Sequence, residues 1–169
     1  MELCAAWDRL CGVDFVFRDR SVLVFGGWID GLPGFADGVA ELNRRHRNVV
    51  FAGPQYGDDK CRSLAAASFF LLPSKSEGLP MSVLEAWSAG KPVLMTRACN
   101  LAIGFDAGAA LEIGPDEDGI RCGLMSASAM DQERRSAMAE AGRALVAKRY
   151  SSQAVAAEMM ALYRDALRQ

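Results

Sequence analysis

Short apolar runs alternate with amphipathic stretches three times between residues 21 and 96, and that rhythm leaves few folds open. Residues 21–26 (SVLVFG), 48–52, 68–72 and 92–95 read as buried strands. Between them the spacing predicts helices over 33–45, with Phe35, Val39 and Leu42 on one face, and over 58–67 and 80–89. Pro80 suits a first helical position and Gly90 a left-handed C-terminal cap. Near-continuous apolar strands joined by helical crossovers mean a parallel sheet covered on both faces: an α/β, Rossmann-like fold. A helix over 3–11 precedes this pattern. A strand over 111–113 and helices over 117–127, 131–148 and 152–168 come after it, with Asp131 and Ser151 or Ser152 as N-caps. With 169 residues and no internal repeat, the chain reads as a single domain that includes its helical tail.

Several function classes drop out. Apolar residues make up 51% and charged residues 24%, a globular balance. The net charge is −2, and the densest basic cluster, Arg44, Arg45, His46 and Arg47, reads as a helix end, so nucleic-acid binding is not expected. The five cysteines, Cys4, Cys11, Cys61, Cys99 and Cys122, form no C-x-x-C pair; with one histidine, they read as reduced thiols of a cytoplasmic protein without a metal. Cys4 and Cys11 fit small core positions on the first helix. The opening MELCAAWDRL is too charged for a signal peptide, and the longest apolar stretch, around 64–72, is too short to span a bilayer.

The segment that carries chemistry lies just after the third strand. In an open parallel sheet, ligands bind beyond the carboxyl ends of the strands. Here that position holds PSKSEGLP, residues 73–80, running straight into a helix. Gly78 lets a ligand approach the backbone, and the free amides around 79–83 with the helix dipole favour an anion, most naturally phosphate. Glu77 in the loop and Glu85 in the helix flank this position. A helical side chain leans toward the N-terminus, so Glu85 covers the turn of Met81 and Ser82. A carboxylate matches a vicinal diol, which both ribose and hexose present. Two carboxylates around a phosphate-competent helix start suggest a nucleotide-sugar, although taken alone each glutamate is also ordinary in a turn or on a wet helix face.

The run GPQYGDDK…LLPSKSEGLPMSVLEAWSAGKPVLMT resembles the C-terminal domain of family 4 glycosyltransferases (glycosyl transferases group 1). Two glutamates separated by seven residues, then Ala and Gly-x-Pro-Val, form that family's signature. The resemblance implies the C-terminal half of a GT-B fold, with the active site between two Rossmann-like domains. It also implies a metal-independent, cofactor-free transfer from a nucleotide-diphosphate sugar that retains anomeric configuration.

By that resemblance Glu77 takes the catalytic place and contacts hydroxyls of the donor sugar, while Glu85 holds the ribose diol. Gly78, Leu79, Pro80 and Met81 supply backbone around the sugar and diphosphate. Gly53 and Pro54 lie against the base, and Lys60 sits at the family's Gly-x-Asp-Lys place; a solvated helix lysine is its other reading. The Gly-Arg…Lys-Gly arrangement that offsets leaving-group charge has no counterpart here. By the resemblance the acceptor domain is expected to be absent too, and Ala102-Ile103-Gly104 stands where many relatives have Pro-Glu-Gly. The resemblance therefore implies donor binding without transfer by this chain alone, with a separate acceptor-binding partner domain. The alternative is a non-catalytic donor-binding fragment or subunit of a split enzyme. Relatives often build cell-surface glycans, which would bring peripheral membrane association through a partner. In this family the last helix crosses onto the first domain, so Val155, Met159, Leu162 and Leu167 are expected to form a bared patch.

Two other motifs compete. Asp116-Glu117-Asp118 is a D-x-D triplet, but it precedes a helix, where acidic residues are favoured anyway. Gly26-Gly27-Trp28-Ile29-Asp30-Gly31 only approximates a dinucleotide-binding G-x-G-x-x-G.

Overall fold

The computed structural model describes residues 1–29 and 33–168. Asp30 and Gly31 of the glycine-rich approximation lie outside these. In chain order the elements are α1 (Glu2–Val13), α2 (Phe15–Arg20), β1 (Leu23–Gly26), α3 (Phe35–His46), β2 (Val49–Gly53), α4 (Gly57–Ala66) and β3 (Phe70–Leu72). After them come α5 (Met81–Ser88), β4 (Val93–Met95), a 3-10 turn (Arg97–Cys99), α6 (Ile103–Asp106), β5 (Ala110–Glu112), α7 (Glu117–Ser128), α8 (Gln132–Arg149) and α9 (Ser152–Ala166). The chain divides into two compact units, Met1–Ala66 with Ile113–Ala129, and Ala67–Glu112 with Met130–Gln169.

In the first unit β1 and β2 pair in parallel, Leu23 opposite Val49 and Val24 opposite Val50. α1 buries Cys4, Ala6, Trp7, Leu10 and Cys11. Burial pushes the Cys4 and Cys11 thiols up, which keeps them protonated core residues. The buried Asn48 ties the layers together: Trp7 Nε1 donates to its Oδ1 at 3.1 Å, and its own amide donates to the Arg18 carbonyl at 2.9 Å. The basic end of α3 is spent on carboxylates, Arg45 and His46 each reaching Asp8 at 2.6 Å. In the β-pair Val24 and Val50 stay 53% and 46% exposed, and α4 buries no residue.

The acidic triplet serves the fold of this unit. Asp116 caps α7 by accepting from the Gly119 amide at 2.7 Å, and Glu117 and Asp118 both receive Arg9. A side chain that caps a helix start satisfies an otherwise unpaired amide.

In the second unit β3, β4 and β5 form a three-stranded parallel sheet with β4 in the middle. Val93, Leu94 and Met95 are buried outright, as a continuous apolar central strand requires. Trp87 of α5 is fully buried and donates to the Ala109 carbonyl at 2.9 Å. Two glycines make room for its indole. A Cβ on Gly104 would lie 2.5 Å from Trp87 Cζ2, and one on Gly142 of α8 2.6 Å from Trp87 Cδ1. Gly104, the one residue of Ala102-Ile103-Gly104 that keeps the Pro-Glu-Gly pattern, is thus a packing residue. Asp131 and Ser151 cap α8 and α9 as predicted.

Three short elements, α2, the 3-10 turn and α6, are additional to the predicted set. Pro80 falls one place outside its helix, as the N-cap of α5, and Gly90 does adopt the left-handed conformation, at φ 66°. Val155, Met159 and Leu162 on α9 and Leu167 at its C-cap are all exposed. Among the described residues no helix is long and apolar enough to cross a membrane.

Candidate functional site

The carboxyl ends of β3 and β4 lie side by side, Leu72 opposite Met95. The loop after β3 leads into α5, and the loop after β4 makes the 3-10 turn. The two loops are stitched together at Glu77. The Glu77 amide donates to the Ala98 carbonyl at 3.0 Å, and the Glu77 carbonyl accepts from Asn100 Nδ2. Ser74 Oγ donates to Glu77 Oε1 at 2.6 Å. Closer to the strand ends, Thr96 Oγ1 donates to the Ser74 carbonyl and the Cys99 thiol to that of Leu72. Backbone and carboxylate of Glu77 are therefore held by protein groups on several sides, while its side chain remains half-buried.

Gly78 and Leu79 are exposed between Glu77 and the helix. A Cβ on Gly78 would meet nothing within 4 Å, so the protein's own packing does not demand a glycine there. Space is left beside the backbone. Pro80 is buried and no side chain caps α5. The Val83 amide already turns back to the Pro80 carbonyl at 3.0 Å, which narrows the open donors of the first turn to Met81 and Ser82. Leu79 and Met81 project as exposed apolar neighbours of those amides. Glu85, half-buried, lies one helical turn further on.

The remaining predicted residues belong to the other unit. Gly53 ends β2 in a left-handed conformation at φ 67°, its carbonyl accepting from the Gly27 amide at 2.9 Å. Pro54 is half-buried. Lys60 sits in the first turn of α4, half-buried. Glu77, Gly78, Leu79, Pro80, Met81 and Glu85 thus share one unit and one loop–helix segment, and Gly53, Pro54 and Lys60 share the other.

Sequence reasoning missed the side chains that hold Glu77, namely Ser74 and Asn100, and also Thr96, which holds Ser74 in turn. A signal existed, because all three carry hydroxyl or amide side chains just beyond the ends of β3 and β4, where the fold places ligands. Among the described residues no group of three or more His, Cys, Asp or Glu side chains gathers to hold a metal ion.

Parallel strands with helical crossovers and a loop–helix junction beyond the strand ends define a Rossmann-like α/β protein. Residues 13–120 match the model of the family described as glycosyl transferases group 1, and the chain belongs to that family. A stretch of 50 residues is 45% identical to the sulfoquinovosyl transferase SQD2 of Arabidopsis thaliana, covering 30% of this chain and 10% of that protein. The structure of the C-terminal domain of LpcC, a glycosyl transferase group 1 family protein from Francisella tularensis, superposes with a TM-score of 0.69 at 19% identity, over 89% of this chain and 78% of that one. Alr3699/HepE of Anabaena, solved with UDP and glucose, superposes with a TM-score of 0.66 at 19% identity, over 92% of this chain and 44% of that one. The chain thus has the fold of a group 1 glycosyltransferase C-terminal domain, a GT-B half, and spans less than half the length of the Anabaena protein.

Proposed function

We propose that this chain binds a nucleotide-diphosphate sugar at the start of α5 and serves as the donor half of a retaining, metal-independent hexosyltransferase. The observation that carries the reading is the loop–helix junction itself. An uncapped helix start presents the Met81 and Ser82 amides beside an exposed glycine, with one carboxylate fixed before it and another one turn inside. Such a start favours a diphosphate through its open amides and the helix dipole. Glu85, leaning back over that turn, accepts hydrogen bonds from the ribose diol. Glu77 accepts from hydroxyls of the sugar and orients its anomeric carbon toward the acceptor. In this reading all 169 residues act as one donor-binding domain.

UDP and glucose occupy the Anabaena neighbour, and the Arabidopsis relative is by name a sugar transferase. Both agree with this choice of ligand class. Transfer in this reading needs the donor site together with an acceptor-binding domain, in the cytoplasm and in cell-surface glycan synthesis. The test is calorimetric titration of the purified chain with UDP, GDP and ADP and with their sugar conjugates, without added metal. One-to-one binding of at least one pair is expected. Absence of binding by every one of them would remove the reading.

A further inference from the structure

We propose that Asn100 is a positioning residue for Glu77, holding that carboxylate at the height where it meets the donor sugar. The proposal rests on the donor-site reading above and extends it to a residue that acts through Glu77. Asn100 ends the 3-10 turn in a left-handed conformation, φ 55° and ψ 25°. That conformation narrows the residue to glycine, asparagine or aspartate at low cost. Of these three, only asparagine also has an amide to donate to the Glu77 carbonyl, as its Nδ2 does. The two requirements together select the side chain that is present.

Glu77 is tethered at three points. Its amide is bound to the Ala98 carbonyl, two residues before Asn100. Its carbonyl is bound by Asn100, and its carboxylate by Ser74, whose own carbonyl is held by Thr96 at the start of the same turn. Loops after parallel strands otherwise move readily relative to each other. Here the turn after β4 fixes both backbone groups of a residue in the loop after β3. Without the Asn100 amide, the peptide after Glu77 can rotate, and that peptide leads directly through Gly78 to the helix start. Ser74 then orients a carboxylate whose backbone is held only through its own N–H, at the Ala98 carbonyl. A ground-state contact to the sugar is lost while the diphosphate still finds the Met81 and Ser82 amides.

Because Asn100 is exposed, its replacement removes no core packing. Asn100→Gly keeps the left-handed conformation and deletes only the amide. Ser74→Ala deletes the hydroxyl that orients the carboxylate, and Ser74→Thr restores a hydroxyl. The probes are UDP, GDP and ADP, each paired with its glucose conjugate, and the quantity read is the affinity gained by adding the sugar. In Asn100→Gly and Ser74→Ala that gain is expected to fall at least about threefold, while affinity for the bare diphosphate and the melting temperature stay at the values of the unaltered chain. Ser74→Thr retains the gain. If Glu77→Gln abolishes the sugar gain but Asn100→Gly and Ser74→Ala preserve it, the positioning role is overturned and the donor site stands. If either variant weakens bare diphosphate and conjugate equally, or melts early, the residue is structural and the proposal fails. If no probe binds, or Glu77→Gln leaves the gain untouched, the donor-site reading falls and takes this proposal with it.

Discussion

Glu77 and Glu85 sit eight positions apart on one loop–helix segment, and the donor-site reading divides the ligand between them. A hydrogen bond to a charged group contributes about 1.5–3 kcal/mol. Glu85→Gln is therefore expected to weaken nucleotide diphosphate binding by roughly tenfold or more, at about 1.4 kcal/mol per decade. Unchanged affinity in calorimetry would take Glu85 out of the site. Glu77→Ala should instead weaken the intact nucleotide-sugar more than the bare diphosphate, and equal losses would contradict the division. The spacing of the two glutamates and the glycine between them were readable in the sequence, because a loop–helix junction is local. The groups that hold Glu77 were not. Ser74, Thr96 and Asn100 meet only because β3 and β4 are neighbours in register, which no run of residues displays.

At the level of elements, the glycines around Trp87 give the sharpest prediction. On an open helix face Gly→Ala stabilises by up to about 1 kcal/mol. At Gly142 the added methyl would lie 2.6 Å from the buried indole, and overpacking of this kind costs about 1–3 kcal/mol. Clash outweighs propensity, so Gly142→Ala is expected to lower Tm, by roughly 2–4 °C per kcal/mol for a chain of this size. Gly12→Ala in α1, where a Cβ meets nothing within 4 Å, should leave Tm unchanged or raised. A thermal melt in which both variants behave alike would refute this account of Trp87. A second prediction concerns α1 and α3. Burial works against ionisation of Asp8, but hydrogen bonds from His46 and Arg45, with their charge, outweigh it and hold the carboxyl below its ordinary value. A depressed carboxyl stabilises the fold above the unfolded-state pKa, and that contribution disappears as pH falls through the folded-state value. Asp8→Asn should thus be less stable than the unaltered chain at neutral pH, with the gap closing in acid. A gap that widened in acid would reverse the sign. Helices α3, α5, α8 and α9 were visible in the sequence through periodicity and caps, whereas α2 and α6, of six and four residues, are too short to show a period.

For the molecule as a whole, the alternation of strands and helices made the α/β class legible from sequence. All pairings found are parallel, yet the strands lie in a pair and a triplet. Val24 and Val50, which the sequence places in buried strands, stay exposed. An apolar run marks a strand, but cannot say whether both of its faces find a cover. The central claim, that a nucleotide-diphosphate sugar settles on the start of α5, is most directly tested by following backbone amide resonances during titration. Addition of the conjugate that binds in calorimetry is expected to shift Glu77, Gly78, Leu79, Met81 and Ser82 most strongly. Amides of that segment standing still while shifts gather elsewhere in the chain would contradict it.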